Sequence, residues 1–143
     1  MKRLLLFATC LFLPASALAG QKNLAHMVFF TLAEDTAENR QSLVAACHTH
    51  LSGHEGTVYF SAGTINKELD RDVNDRDFDV ALHIVFSDQE AHDQYQTHPR
   101  HLKFIEENSH LWSSVRVFDS NVSSAIPTQL PKEAAGFAGM ISG

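Results

Sequence analysis

The chain has 143 residues, a net charge of −6 and an ordinary composition, 44% hydrophobic and 20% charged. One domain is expected at this length, and collagen-like, low-complexity and wholly disordered chains are excluded. Two cysteines rule out a disulfide scaffold, and no Lys/Arg cluster favours nucleic acid or an anionic membrane surface as a partner.

The chain opens on a leader. Lys2 and Arg3 precede an apolar run from Leu4 to Leu13, and Ala17-Leu18-Ala19 follows Pro14. Charge, apolar run and small-x-small site, in that order, describe a signal peptide over residues 1–19, too short to span a bilayer. Phe7-Ala8-Thr9 is a poor lead-in for lipidation at Cys10. The expected mature protein starts at Gly20, is exported to a periplasmic or secreted destination, and keeps no membrane segment. Cys47 is then its single cysteine, in an apolar helical setting that suits a buried, inert thiol.

Residues 24–32 are β-branched and aromatic and predict a first strand. Ala33-Glu34-Asp35-Thr36 opens a helix, with Asp35 as its expected cap and Glu38 three residues on. Leu43, Cys47 and Leu51 form its apolar stripe, and Gly53 suits its end. Residues 57–66 predict a second strand, where Gly63 suggests a bulge or a close approach. Lys67 to Asp77 is charged and aperiodic, a solvated loop. An EF-hand reading of Asp70, Asp72 and Asp75 fails for want of the central Gly and terminal Glu.

Residues 78–86 predict a third strand, with Phe78, Val80, Leu82, Ile84 and Phe86 on one face and Asp79, Ala81, His83 and Val85 on the other. Ser87-Asp88 starts a short helix through Tyr95. His98-Pro99 breaks it and restarts another, with Pro99 at the favoured first position and Leu102, Ile105 and Trp112 along it. Residues 113–119 predict the last strand. From Asn121 to Gly143, Ser, Ala, Gly and Pro dominate, and a flexible tail is expected. The domain is thus expected over residues 20–120.

The order β-α-β-β-α-α-β predicts an α+β fold, a ferredoxin-like four-stranded antiparallel sheet with helices on one face. The opposite face would carry Met27, Phe29, Tyr59, Val85 and Phe118. An apolar face of that kind predicts a homodimer through the sheets, closing an α/β barrel about a two-fold axis.

Four segments resemble the stress-response A/B barrel family, the dimeric α+β barrels. They are His26-Met27-Val28-Phe29-Phe30, residues 78–86, Tyr95-Gln96-Thr97-His98-Pro99-Arg100-His101 and Val115-Arg116-Val117-Phe118-Asp119. The resemblance spans about residues 24–120. It implies a homodimer with a cleft between helices and sheet in each subunit, and for most members no assigned reaction. One plant branch resembles a polyketide cyclase that works by aldol chemistry without a cofactor. Tyr95 and His101 match its acid/base pair, and His26 its first-strand histidine. A further, third-strand histidine of that branch is Val80 here.

The same residues make chemical sense on their own. An imidazole titrates near neutrality, and a phenol can donate to a developing enolate. His26, Tyr95 and His101 are therefore the candidate catalytic residues, with Phe30, Val80 and His98 as candidate ligand contacts. Their structural alternatives are a packed Tyr95, a helix-capping His98 and a His101 bonded to a backbone carbonyl. Zinc at His50 and His54 is disfavoured because Gly53 spoils their common face, so no metal and no cofactor is assigned. No Gly-x-Ser-x-Gly elbow and no phosphate-binding Gly loop is present. Two functions remain: an exported, dimeric module binding a small hydrophobic ligand, or a cofactor-free cyclase-like or lyase-type enzyme. An open apolar cleft ending at Tyr95 and His101 favours the enzyme. A cleft filled by Phe30, Phe78, Leu102 and Phe104 favours the module.

Overall fold

The computed structural model describes residues 22–123, so the leader and the tail from residue 124 lie outside the described residues. Four strands and three helices follow in the order β1 (Asn23–Leu32), α1 (Ala37–Leu51), β2 (Thr57–Thr64), β3 (Val80–Phe86), α2 (Gln89–Thr97), α3 (Pro99–Asn108) and β4 (Trp112–Val122). The sheet is antiparallel, in the order β2-β3-β1-β4. The fold is α+β and ferredoxin-like, as the element order predicts.

Alternation along β1 decides what the helices cover. Ala25 apart, the buried set is His26, Val28, Phe30 and Leu32, whereas Met27 and Phe29 on the other face are half-buried. β3 adds Val80, Leu82, Ile84 and Phe86, and α1 adds Leu43, Cys47 and Leu51. Burial raises the Cys47 thiol to about 12, so the thiolate that would react is absent near neutral pH.

Several local expectations change. Thr36, not Asp35, caps α1 and accepts from the Asn39 N–H at 3.1 Å, because the cap must directly precede Ala37, the first helical residue. Asp35 pairs instead with Arg40 and Lys67. Gly63 pairs regularly with Ala81, and a Cβ there would meet nothing within 4 Å; the irregularity in β2 falls between Thr57 and Tyr59. The glycine that a close approach does require is Gly56. Its φ is +75°, and a Cβ would stand 2.3 Å from that of Ala91 on α2.

The acidic loop is fastened, not free. Arg116 holds the Asp75 carboxylate at 2.8 Å and the Asp77 carbonyl at 2.8 Å. The Leu32 N–H donates to Asp79 at 2.8 Å, which joins the loop's end to β1. The last helix is shorter than its apolar residues suggest. A single 3₁₀ turn, Ser109–Leu111, ends it, and Trp112 opens β4. Phe104 is the buried residue of α3, while Leu102 faces solvent at 53% exposure. β4 also runs to Val122, past the change of composition at 121, because Asn23 and Leu24 pair with Val122 and Asn121.

Candidate functional site

β4 is an edge strand, and its inner face is only partly roofed. Val115 and Val117 pair with Phe30 and Val28 and so point to the helix side, yet they are 45% and 47% exposed. Between them and α3 lies a cavity of about 450 Å³. Its apolar walls include Val28, Phe30, Phe104, Trp112 and Val117. Its polar end holds His26, Tyr95, Gln96, His101 and Asp119.

Three elements deliver the polar end. β1 parity turns His26 inward. Tyr95 lies one turn beyond Ala91 on α2, and both are buried. Pro99 restarts the chain as α3 so that His101 returns to the Tyr95 ring, at a centroid separation of 4.4 Å. The ring of His26 lies 5.9 Å from that of Tyr95.

Hydrogen bonds fix both imidazole tautomers. His101 Nδ1 lies 3.0 Å from the Gln96 carbonyl oxygen, which can only accept, so Nδ1 carries the proton. His26 Nδ1 donates in the same way to Asp119 Oδ1 at 2.7 Å. In each neutral ring the free lone pair therefore sits on Nε2. Burial lowers the pKa of His26 despite the opposing Asp119 bond, and burial likewise lowers that of His101. Burial raises the Tyr95 phenol. Near pH 7 the site thus presents two neutral bases and one protonated phenol.

Of the candidate ligand contacts, Phe30 lines the cavity, while Val80 and His98 do not. Val80 is wholly buried in the core. His98 caps α3, its Nδ1 accepting from the Arg100 N–H at 3.1 Å, and its ring meets that of His54 at 4.6 Å. The cavity is open, not plugged by the four residues named above. Phe30 and Phe104 form its wall, Leu102 faces solvent, and Phe78 packs on Phe29 of the opposite sheet face at 5.0 Å. His54 lies past the end of α1, and its Nε2 donates to the His50 carbonyl at 2.9 Å. Asp119, Gln96, Trp112 and Val117 are site residues that the sequence did not single out. Strand parity relative to His26 is the signal that could have found Asp119.

The histidines carry a pH dependence. Burial lowers His26, His54 and His101, so over the range below the ordinary value the unfolded chain binds more protons than the folded one. Stability is complete above about pH 6.5 and falls as pH drops through it, until the folded histidines also protonate. Each kcal/mol lost lowers Tm by about 4–8 °C for a domain of this size. Thermal melts should show Tm falling from pH 8 to pH 5.5, and a flat profile would refute the linkage.

The sheet order, the helices on one face and the cleft under α3 define a ferredoxin-like α+β protein with an intrasubunit pocket. The chain belongs to the stress responsive A/B barrel domain family, whose model matches residues 24–122. A comparison with the curated proteins finds no match. Among solved structures, a family protein of ferredoxin-like fold from Mesorhizobium loti is 21% identical with a TM-score of 0.59, covering 73% of this chain and all of that one. The hydroxynitrile lyase of Passiflora edulis is 17% identical with a TM-score of 0.58, over 75% of this chain and 99% of that one. A cofactor-independent oxygenase from Streptomyces nogalater is 17% identical with a TM-score of 0.54, over 74% and 98%. Several further neighbours of this fold are dimeric. Among the described residues, no helix is long and apolar enough to cross a membrane.

Proposed function

We propose that the protein is exported and acts as a homodimer whose cleft binds a small, largely apolar molecule bearing a carbonyl or hydroxyl group. The observation that carries this is the open cavity of about 450 Å³, apolar along its walls and polar at one end. That size and lining suit a small-molecule site. The apolar walls contribute affinity by area buried. Tyr95 and the two imidazoles at the polar end orient an oxygen.

A second reading goes further: cofactor-free acid/base catalysis of the lyase or cyclase type. It is favoured by the tautomers and by the cleft, which is open and ends at Tyr95 and His101. Nε2 of His101 or His26 removes a proton next to the carbonyl, and the Tyr95 hydroxyl donates to the enolate oxygen as charge develops there. The hydroxynitrile lyase and the cofactor-independent oxygenase of the same fold support the idea that this scaffold admits such chemistry.

Native mass spectrometry of the exported protein tests the first reading. The expected species is a dimer of chains beginning at Gly20 that carries a small apolar ligand, lost in Val117→Phe, which narrows the cavity. A dimer that stays ligand-free when offered aromatic and aliphatic ketones would overturn it. A monomer, or a chain retaining its leader, would overturn the assembly or the export.

A further inference from the structure

His26, His92 and Asp119 come together from β1, α2 and β4. One donor atom of each lies within 4.8 Å of the other two. We propose that these three side chains form a binding site for a divalent transition-metal cation of the zinc type. This goes beyond the ligand-binding reading and does not depend on it.

The donor set selects the class of ion. Two imidazoles and one carboxylate suit Zn²⁺, Co²⁺ or Fe²⁺, whereas Ca²⁺ and Mg²⁺ prefer oxygen ligands throughout. Zinc lies about 2.0–2.2 Å from N and O ligands, so tetrahedral donors stand about 3.3 Å apart. His26 Nδ1 and Asp119 Oδ1, now 2.7 Å apart and joined by the Nδ1 proton, become donors when that proton moves to Nε2 and the pair opens by about 0.6 Å. The remaining gaps close by side-chain rotation. The Asp119 side chain is 48% exposed and can swing once its bond to His26 opens, while the buried His26 supplies the fixed point.

Neighbours prepare His92 for the role. Its Nδ1 lies 3.2 Å from the Asp93 carboxylate, which accepts that proton and leaves the Nε2 lone pair for a cation. The Gln96 amide, 3.0 Å from Nε2, occupies this position and has to turn away. An ion reaches the cluster through a surface groove of about 260 Å³ lined by His92, Asp93, Asp119 and Ser120. His26 and Asp119 also line the inner cleft, so the cluster stands at the seam between groove and cleft. Three protein ligands leave a fourth position open, which lets a bound oxygen ligand complete the shell.

Isothermal titration of the EDTA-treated protein with ZnCl₂ tests the proposal. Tight uptake of one Zn²⁺ per chain is expected, with a rise in Tm on saturation. Asp119→Asn and His92→Gln should each weaken binding by at least about 100-fold and abolish the Tm rise. Both positions are partly exposed, so both variants should fold, which circular dichroism verifies. Failure of the wild-type protein to take up Zn²⁺ would overturn the proposal. So would uptake that both variants leave unchanged, since the ion would then sit on other histidines. His92 does not line the cleft, so ketone binding by His92→Gln reports on the cleft separately from the metal.

Discussion

Tyr95→Phe and His101→Gln are each expected to lower turnover of a carbonyl substrate by about 10²–10⁴-fold, the usual worth of one positioned acid or base. Tyr95→Phe removes one oxygen and keeps the ring that packs on Phe86 at 5.1 Å and on His54 at 4.9 Å. His101→Gln keeps an N–H for the Gln96 carbonyl but loses the basic nitrogen. Stability should therefore change little while rate collapses. His26→Gln should act differently, because it also breaks the 2.7 Å bond to Asp119 at the edge of the sheet. Kinetics and thermal melts of the three variants, on a ketone that the native protein turns over, separate these effects. Wild-type turnover by both Tyr95→Phe and His101→Gln would remove the catalytic reading and leave the binding one.

Much of this site was legible because strand parity and helix spacing are local rules. His26 turns inward with Val28 and Phe30, and Tyr95 follows Ala91 on one helix face, so their meeting needs no long-range knowledge. Val80 shows where the rule stops. It points to the helix side as expected but lies wholly within the core, and parity cannot say which inward residues are roofed and which line a gap. His98 shows a second limit. A histidine before Pro reads equally as ligand contact and as cap, and only the 3.1 Å bond from the Arg100 N–H decides for the cap. Trp112 shows a third. Its helical spacing from Ile105 was accidental, since the 3₁₀ turn ends α3 and the indole stacks on Phe104 from β4, centroids 5.7 Å apart. Asp119 and His92 stand far from His26 along the chain and meet it only through the β1–β4 register and the docking of α2. Parity puts Asp119 on the His26 face once that register is known, and nothing in the segment of His92 signals the meeting.

Phe118→Glu is expected to dissociate the proposed homodimer without unfolding the subunit. The sheet face away from the helices carries an aromatic cluster in which Phe29 meets Phe78 at 5.0 Å, Phe118 at 5.7 Å and His83 at 6.0 Å. Tyr59 and Phe118 are each 54% exposed in the single chain, an apolar patch of the kind that marks an interface. Burying an aromatic side chain is worth roughly 1.5–3 kcal/mol, and a two-fold axis counts each change twice. Losing Phe118 alone should then raise the dimer Kd by about 10²–10⁴-fold, and the buried carboxylates add to that. Because Phe118 is already half-exposed on an edge strand, the protomer does not need it to fold. Phe29→Asp is the harsher test, since Phe29 sits on a central strand and packs within its own subunit. Leu102→Asp is the control, on the solvent side of α3, and should remain a dimer. Sedimentation velocity at micromolar concentration reads all three. A wild-type monomer, or a Phe118→Glu protein that sediments as the native dimer, would place the association on some other surface.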